Sequence, residues 1–194
     1  MSEHDDGYID YFTILGVNPE TKPGQVRNEY RKRMKNLVNE IASVEITEER
    51  RAVFLLQMAQ LNAAYYVLRD METRAQYIKD REEVIASEKR WRDAVDSPEA
   101  DALRREFDRR CRDFLSKYVE ESMLEAGRDK ECVEASGWDA AHERHASRII
   151  RHYRHRLYQQ ILERLPFTDV TTPEIDYEER EQTVKRILEE ACSQ

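Results

Sequence analysis

Apolar positions recur at helical spacing along nearly the whole chain. Tyr8, Tyr11, Phe12 and Leu15 fall on one face. Gly16 follows them, and glycine is the residue type that most readily takes the left-handed conformation past a helix end. A first helix is therefore predicted from about Tyr8, after a polar, acidic stretch over residues 1–7 that is predicted to be disordered. The turn Asn18-Pro19-Glu20-Thr21 leads into a second helix from about Lys22 to Ser43. One of its faces carries Val26, Tyr30, Met34, Leu37 and Ile41, and the other carries Arg27, Arg31, Lys32, Arg33 and Lys35. Thr47, followed by Glu48 and Glu49, reads as the cap of a third helix reaching about Arg69, with Phe54, Leu55, Met58, Leu61, Ala64, Tyr65 and Leu68 inward. Asp70 is placed to cap a fourth, bearing Ala75, Tyr77, Ile78, Val84 and Ile85.

The sharpest boundary is Asp96-Ser97-Pro98-Glu99, where serine at the cap, proline at the first helical position and glutamate in the first turn together specify a helix start. It divides the chain into two predicted helical units, residues 8–95 and 97–194. In the second unit, Leu103, Phe107, Cys111, Phe114, Tyr118 and Val119 form one stripe that stops at Gly127. Ser136-Gly137 is a further break, and one long helix is predicted from Trp138 to Leu165, ended by Pro166. A last helix would present Tyr177, Val184, Leu188 and Ala191. Trp91 and Trp138, near the breaks, suit packing between units.

Composition narrows the class. With only 5 Gly and 5 Pro in 194 residues, the chain lacks the turn-formers of a β-sandwich or barrel, and an all-α fold is expected. The apolar runs are too short for a membrane span or a secretory leader. The odd number of scattered cysteines, 3, fits a reducing, cytoplasmic setting better than a disulfide framework. A net charge of −8 argues against general nucleic-acid binding.

Three blocks carry a family resemblance. Asp10-Tyr11-Phe12-Thr13-Ile14-Leu15-Gly16-Val17, the basic helix around Tyr30-Arg31-Lys32, and Leu61-Asn62-Ala63-Ala64-Tyr65 through Asp70 to Arg74-Ala75-Gln76-Tyr77 together resemble the J-domain of DnaJ-type co-chaperones. Within that family the opening block and the long second-to-third helix separation look most similar to the HscB-type proteins of iron–sulfur assembly, which add a C-terminal helical domain. The resemblance implies a four-helix J-like domain followed by a C-terminal bundle of about three helices. It also implies a docking face of Arg27, Arg31, Lys32 and Lys35 for a DnaK-type chaperone, or binding of that chaperone's client. The family's defining His-Pro-Asp falls, counting from Tyr30, on Val38-Asn39-Glu40, and all three differ. Glu40 keeps a negative charge, but without proline the second helix is free to continue through Ile41. Arg33 stands where the family buries a leucine, with Met34 beside it to fill that space. The implied function is a non-enzymatic adaptor that stimulates ATP hydrolysis poorly. The alternative within the class is an active iron–sulfur co-chaperone using Asn39-Glu40.

A reading from another class rests on Arg144, Arg148, Arg151, Arg154 and Arg156, with no acidic residue between Glu143 and Glu163. Such a helix suits anion or nucleic-acid binding. Residues 166–194, with a net charge of −5, offer internal neutralisation instead. His142, His145, His152 and His155 share the helix, but neither a carboxylate nor a cysteine completes a zinc set, and solvated histidines are expected, with no metal. The chain contains no phosphate loop, nucleophile elbow or zinc-protease helix, so neither a catalytic residue nor a cofactor is assigned. Cys111, on an apolar stripe, reads as a packed thiol.

Overall fold

The computed structural model describes residues 9–42, 47–138 and 140–165, together with positions 181, 184 and 185; the side chains of 140–142 are excepted. Among the described residues the structure is helical, without a strand. Helix α1 (Tyr11–Leu15) begins later than the Tyr8 predicted from periodicity, because the Asp10 carboxylate accepts from the Phe12 and Thr13 amides at 3.0 and 3.4 Å. Gly16 closes it in the left-handed region at φ 68°. The Arg33 guanidinium lies against Gly16, where an added Cβ would sit 2.0 Å from Nη2.

Helix α2 (Pro23–Ala42) buries Val26, Tyr30, Met34 and Leu37, at the expected helical spacing. Arg33 is exposed, donates to the Ile14 carbonyl at 3.1 Å, and leaves the apolar stripe to Met34. Helix α3 (Glu48–Leu68) starts at the Thr47 cap. Tyr30 meets Asn62 and Tyr65, while Val38 and Ile41 meet Phe54, Leu55 and Met58, so α2 and α3 run antiparallel. Helix α4 (Met71–Asp93) starts at Asp70, whose carboxylate accepts from Glu72 and Thr73.

Arg74, almost wholly buried, explains the Arg-x-x-Tyr pattern. Its guanidinium donates to the carbonyls of Leu68, Pro19 and Thr21, the last at 2.7 Å, tying the end of α3 to the α1–α2 turn. Three residues on, Tyr77 donates to the Ile9 carbonyl at 2.8 Å and accepts from the Tyr11 amide at 3.1 Å.

Helix α5 (Ala100–Leu115) begins beyond the predicted Ser97-Pro98 start. The Ser97 hydroxyl accepts from the Glu99 amide at 3.3 Å and forms a turn there instead of a helix cap. Across this turn the Trp91 and Phe107 rings stack at 6.2 Å. The single helix predicted to end at Gly127 is interrupted by a π-helical turn, Ser116–Glu121, before α6 (Ser122–Ala126). A short α7 (Lys130–Ser136) was not apparent from periodicity. Helix α8 (Ala140–Glu163) starts after Trp138, whose ring packs on Gly127, where a Cβ would approach it to 3.0 Å.

Buried side chains from Ile9 to Leu165 form one contiguous core. Of the predicted last helix, Tyr177, Leu188 and Ala191 lie outside the described residues, as do residues 1–7. Val184, on the stripe that helix would present, is half exposed, and the neighbouring described pair Lys185–Glu181 is likewise exposed. No helix among the described residues is long and apolar enough to cross a membrane.

Candidate partner-binding site

The basic face of α2 follows from its apolar one. Burying Val26, Tyr30, Met34 and Leu37 turns Arg27, Arg31, Lys32 and Lys35 outward, and all four are exposed. Helix α7 meets this face. Glu131, in its first turn, takes Arg27 at 2.5 Å and Arg31 at 3.2 Å on one carboxylate oxygen. Its other oxygen accepts the Tyr65 hydroxyl at 2.7 Å. Partial burial pushes the Glu131 carboxyl up, but the Tyr65 and Arg27 bonds outweigh this and hold it below the usual carboxylate range. Lys32 and Lys35 make no ion pair among the described residues. The face is thus split into two arginines held by an internal carboxylate and two open lysines.

The α2–α3 surface beneath α7 is tied together, and from it Asn62 reaches the Ser136 hydroxyl at 3.5 Å and Arg69 reaches Asp129. Tyr65 stacks on Tyr30 with ring centres 4.3 Å apart and planes 9° from parallel. Tyr30 donates to the Asn62 side-chain oxygen at 2.8 Å, and Ser136 returns its hydroxyl to the Cys132 carbonyl at 2.6 Å. Arg69 pairs side-on with Asp129, at 2.9 and 2.8 Å, and Asp129 also caps α7 by accepting the Cys132 amide.

Val38, Asn39 and Glu40 all lie inside α2 and not in a loop. Val38 is half-buried and, with Ile41, Phe54 and Met58, lines an apolar groove of about 330 Å³, while Asn39 and Glu40 face outward. A carboxylate on a helix side is presented differently from one held at the apex of a rigid proline turn.

The second basic patch divides between two surroundings. Arg151 and Arg154 both pair with Glu120, at 3.3 and 2.8 Å. Arg156 lies over the Tyr153 ring, and Arg144 and Arg148 are exposed. The neutralisation expected from residues 166–194 falls outside the described residues; Glu120, in the π-helical turn, supplies a partner from within them. His145, His152 and His155 are exposed, and the side chain of His142 is not described. No group of three metal-ligating side chains occurs among the described residues.

Sequence reasoning missed Glu131, Asp129 and Glu120. The first two had a readable local signal, since an Asp cap followed by Glu in the first turn and glycine seven positions after Lys130 marks a short helix. Their partners, between 60 and 104 residues away, had none. No protein-family model, curated protein or solved structure matches the chain.

Proposed function

We propose that the chain is a J-like adaptor that binds a protein partner without efficiently stimulating a DnaK-type chaperone. In this reading a four-helix J-like unit over residues 8–95 precedes a C-terminal helical unit over residues 97–194, in the cytoplasm, with no catalytic residue. The framework residues support the reading: Tyr11, Leu15, Tyr30, Ala64, Leu68 and Tyr77 are wholly buried together, and Arg74 holds the α3–α4 corner. The observation that carries the adaptor role is the course of α2, unbroken through Val38-Asn39-Glu40, beside a basic face whose Arg27 and Arg31 already hold Glu131. A chaperone reaching for those arginines must displace an internal carboxylate, and it meets no proline-fixed aspartate beside them.

The anion-binding reading of α8 is weaker, because Glu120 engages two of its arginines. The deciding experiment is steady-state ATP hydrolysis by a DnaK-type chaperone with the full chain added. A rate close to the chaperone's own is expected. Many-fold stimulation lost on Glu40→Gln would overturn the proposal in favour of an active co-chaperone.

A further inference from the structure

The first turns of α3 carry five apolar residues in a row, Ala52 to Leu56. On a helix such a run points in every direction, so it needs neighbours on more than one side. Helix α2 covers the Phe54–Leu55 side, through Val38 and Ile41. On the other side an open groove of about 410 Å³ runs between α3 and α8. Its floor is Val53, Leu56, Ile149 and Tyr153, and Arg148 and Arg156 stand at its rim. Val53 is 54% exposed, one of few large apolar side chains among the described residues to face solvent.

We propose that this groove is the docking site for an acidic amphipathic helix of a partner protein. Two side-by-side helices form a trough that a third helix fills with apolar side chains at i, i+3, i+4 and i+7. The charge of the rim selects the flanks of that helix. No acidic side chain lines the groove, and neither Arg148 nor Arg156 makes an ion pair among the described residues, unlike Arg151 and Arg154 on the same helix. Carboxylates beside the apolar stripe would meet both arginines, whereas a basic helix would meet like charge. A phosphate backbone would satisfy the arginines but leave the Val53–Ile149 floor uncovered. The inference deepens the adaptor reading by naming the partner's chemistry, and it rests on that reading only in taking the occupant to be a protein.

The test is a fluorescence-anisotropy titration of the full chain with a labelled synthetic helix of about five turns, with leucines on one stripe and glutamates beside it, and with a mirror peptide carrying lysines. Saturable, salt-weakened binding of the glutamate peptide is expected, and none of the lysine peptide. Arg148→Glu with Arg156→Glu should weaken binding by about tenfold or more, as should Val53→Asp. Lys89→Glu, an exposed α4 position away from the groove, should leave it unchanged. Equal binding of both peptides, or binding indifferent to Val53→Asp, would overturn the proposal. Binding that appears only after Glu178→Gln, Glu179→Gln and Glu181→Gln would overturn it in favour of the chain's own acidic segment. A dimer in sedimentation that Val53→Asp dissolves would overturn it in favour of a second copy. Because chaperone ATPase does not enter this readout, its failure and that of the adaptor reading are separable.

Discussion

The Tyr11 hydroxyl donates to the backbone carbonyl of Tyr118, 107 residues further along the chain. Tyr11 opens α1, and Tyr118 lies in the π-helical turn, where the widened ladder is one place a carbonyl can accept a bond from outside its own helix. The Tyr11 ring is wholly buried and stacks on Tyr77 at 5.1 Å, so Tyr11→Phe keeps the packing and removes only the bond. The buried carbonyl then loses that donor, at a cost of about 1–2 kcal/mol. Urea unfolding followed by circular dichroism should show a lower midpoint for Tyr11→Phe and an unchanged one for Tyr66→Phe. Equal midpoints for Tyr11→Phe and the unaltered chain would contradict the contact.

Gly16 is constrained twice, by its φ of 68° and by the Arg33 guanidinium against its Cα. Alanine there costs about 1 kcal/mol from the left-handed backbone alone. It also forces Arg33 away from the Ile14 carbonyl. In an Arg33→Ala background the second cost disappears and the first stays. A double-mutant cycle on Gly16→Ala and Arg33→Ala should therefore give a coupling of about 0.5–1 kcal/mol, whereas an additive result would mean that the guanidinium moves aside freely.

What was legible in the sequence was local. Thr47, Asp70 and Gly16 end or begin helices by chemistry confined to a few neighbouring residues, and Val26, Tyr30, Met34 and Leu37 announce their buried face by spacing. The π-helical turn was hidden because its widened register lets the adjacent Tyr118 and Val119 both be buried, which a regular stripe does not distinguish from its own edge. Helix α7 shows no apolar stripe, because it buries Cys132 and Ser136, small side chains, and only its Asp129 cap and Gly137 mark it in the sequence. The split of the α2 basic face depends on Glu131 meeting Arg27 across 104 positions, a distance over which no sequence pattern acts.

Cys111 and Cys132 are wholly enclosed, and burial is the chief force pushing both thiols up to about 12. At pH 8 each is overwhelmingly in the unreactive thiol form as well as out of reach. In a Cys192→Ser chain, a thiol-specific chromogenic reagent should react with the native protein only at the rate of unfolding, and with both cysteines at once in urea. Rapid native labelling of either would contradict the burial.

The Arg69–Asp129 pair joins the end of α3 to the cap of α7, and its pH dependence has a definite sign. Its parallel bond from Arg69, opposed by partial burial and aided by the Cys132 amide, holds the Asp129 carboxyl below its usual range. A carboxyl so lowered contributes its stability above the unfolded value of about 3.9, and that contribution is lost as pH falls through the folded value. Asp129→Asn keeps a side-chain oxygen able to cap α7 but removes the charge. At neutral pH the variant should be less stable by about 1–2 kcal/mol, a modest figure because both groups keep some solvent contact. Below about pH 3.9 the two unfolding curves should draw together, and they should meet once the pH has fallen through the lower folded value, where the native carboxyl is neutral too. A gap that stays constant from pH 7 to pH 2 would mean that the asparagine disturbs packing and that the ion pair contributes nothing.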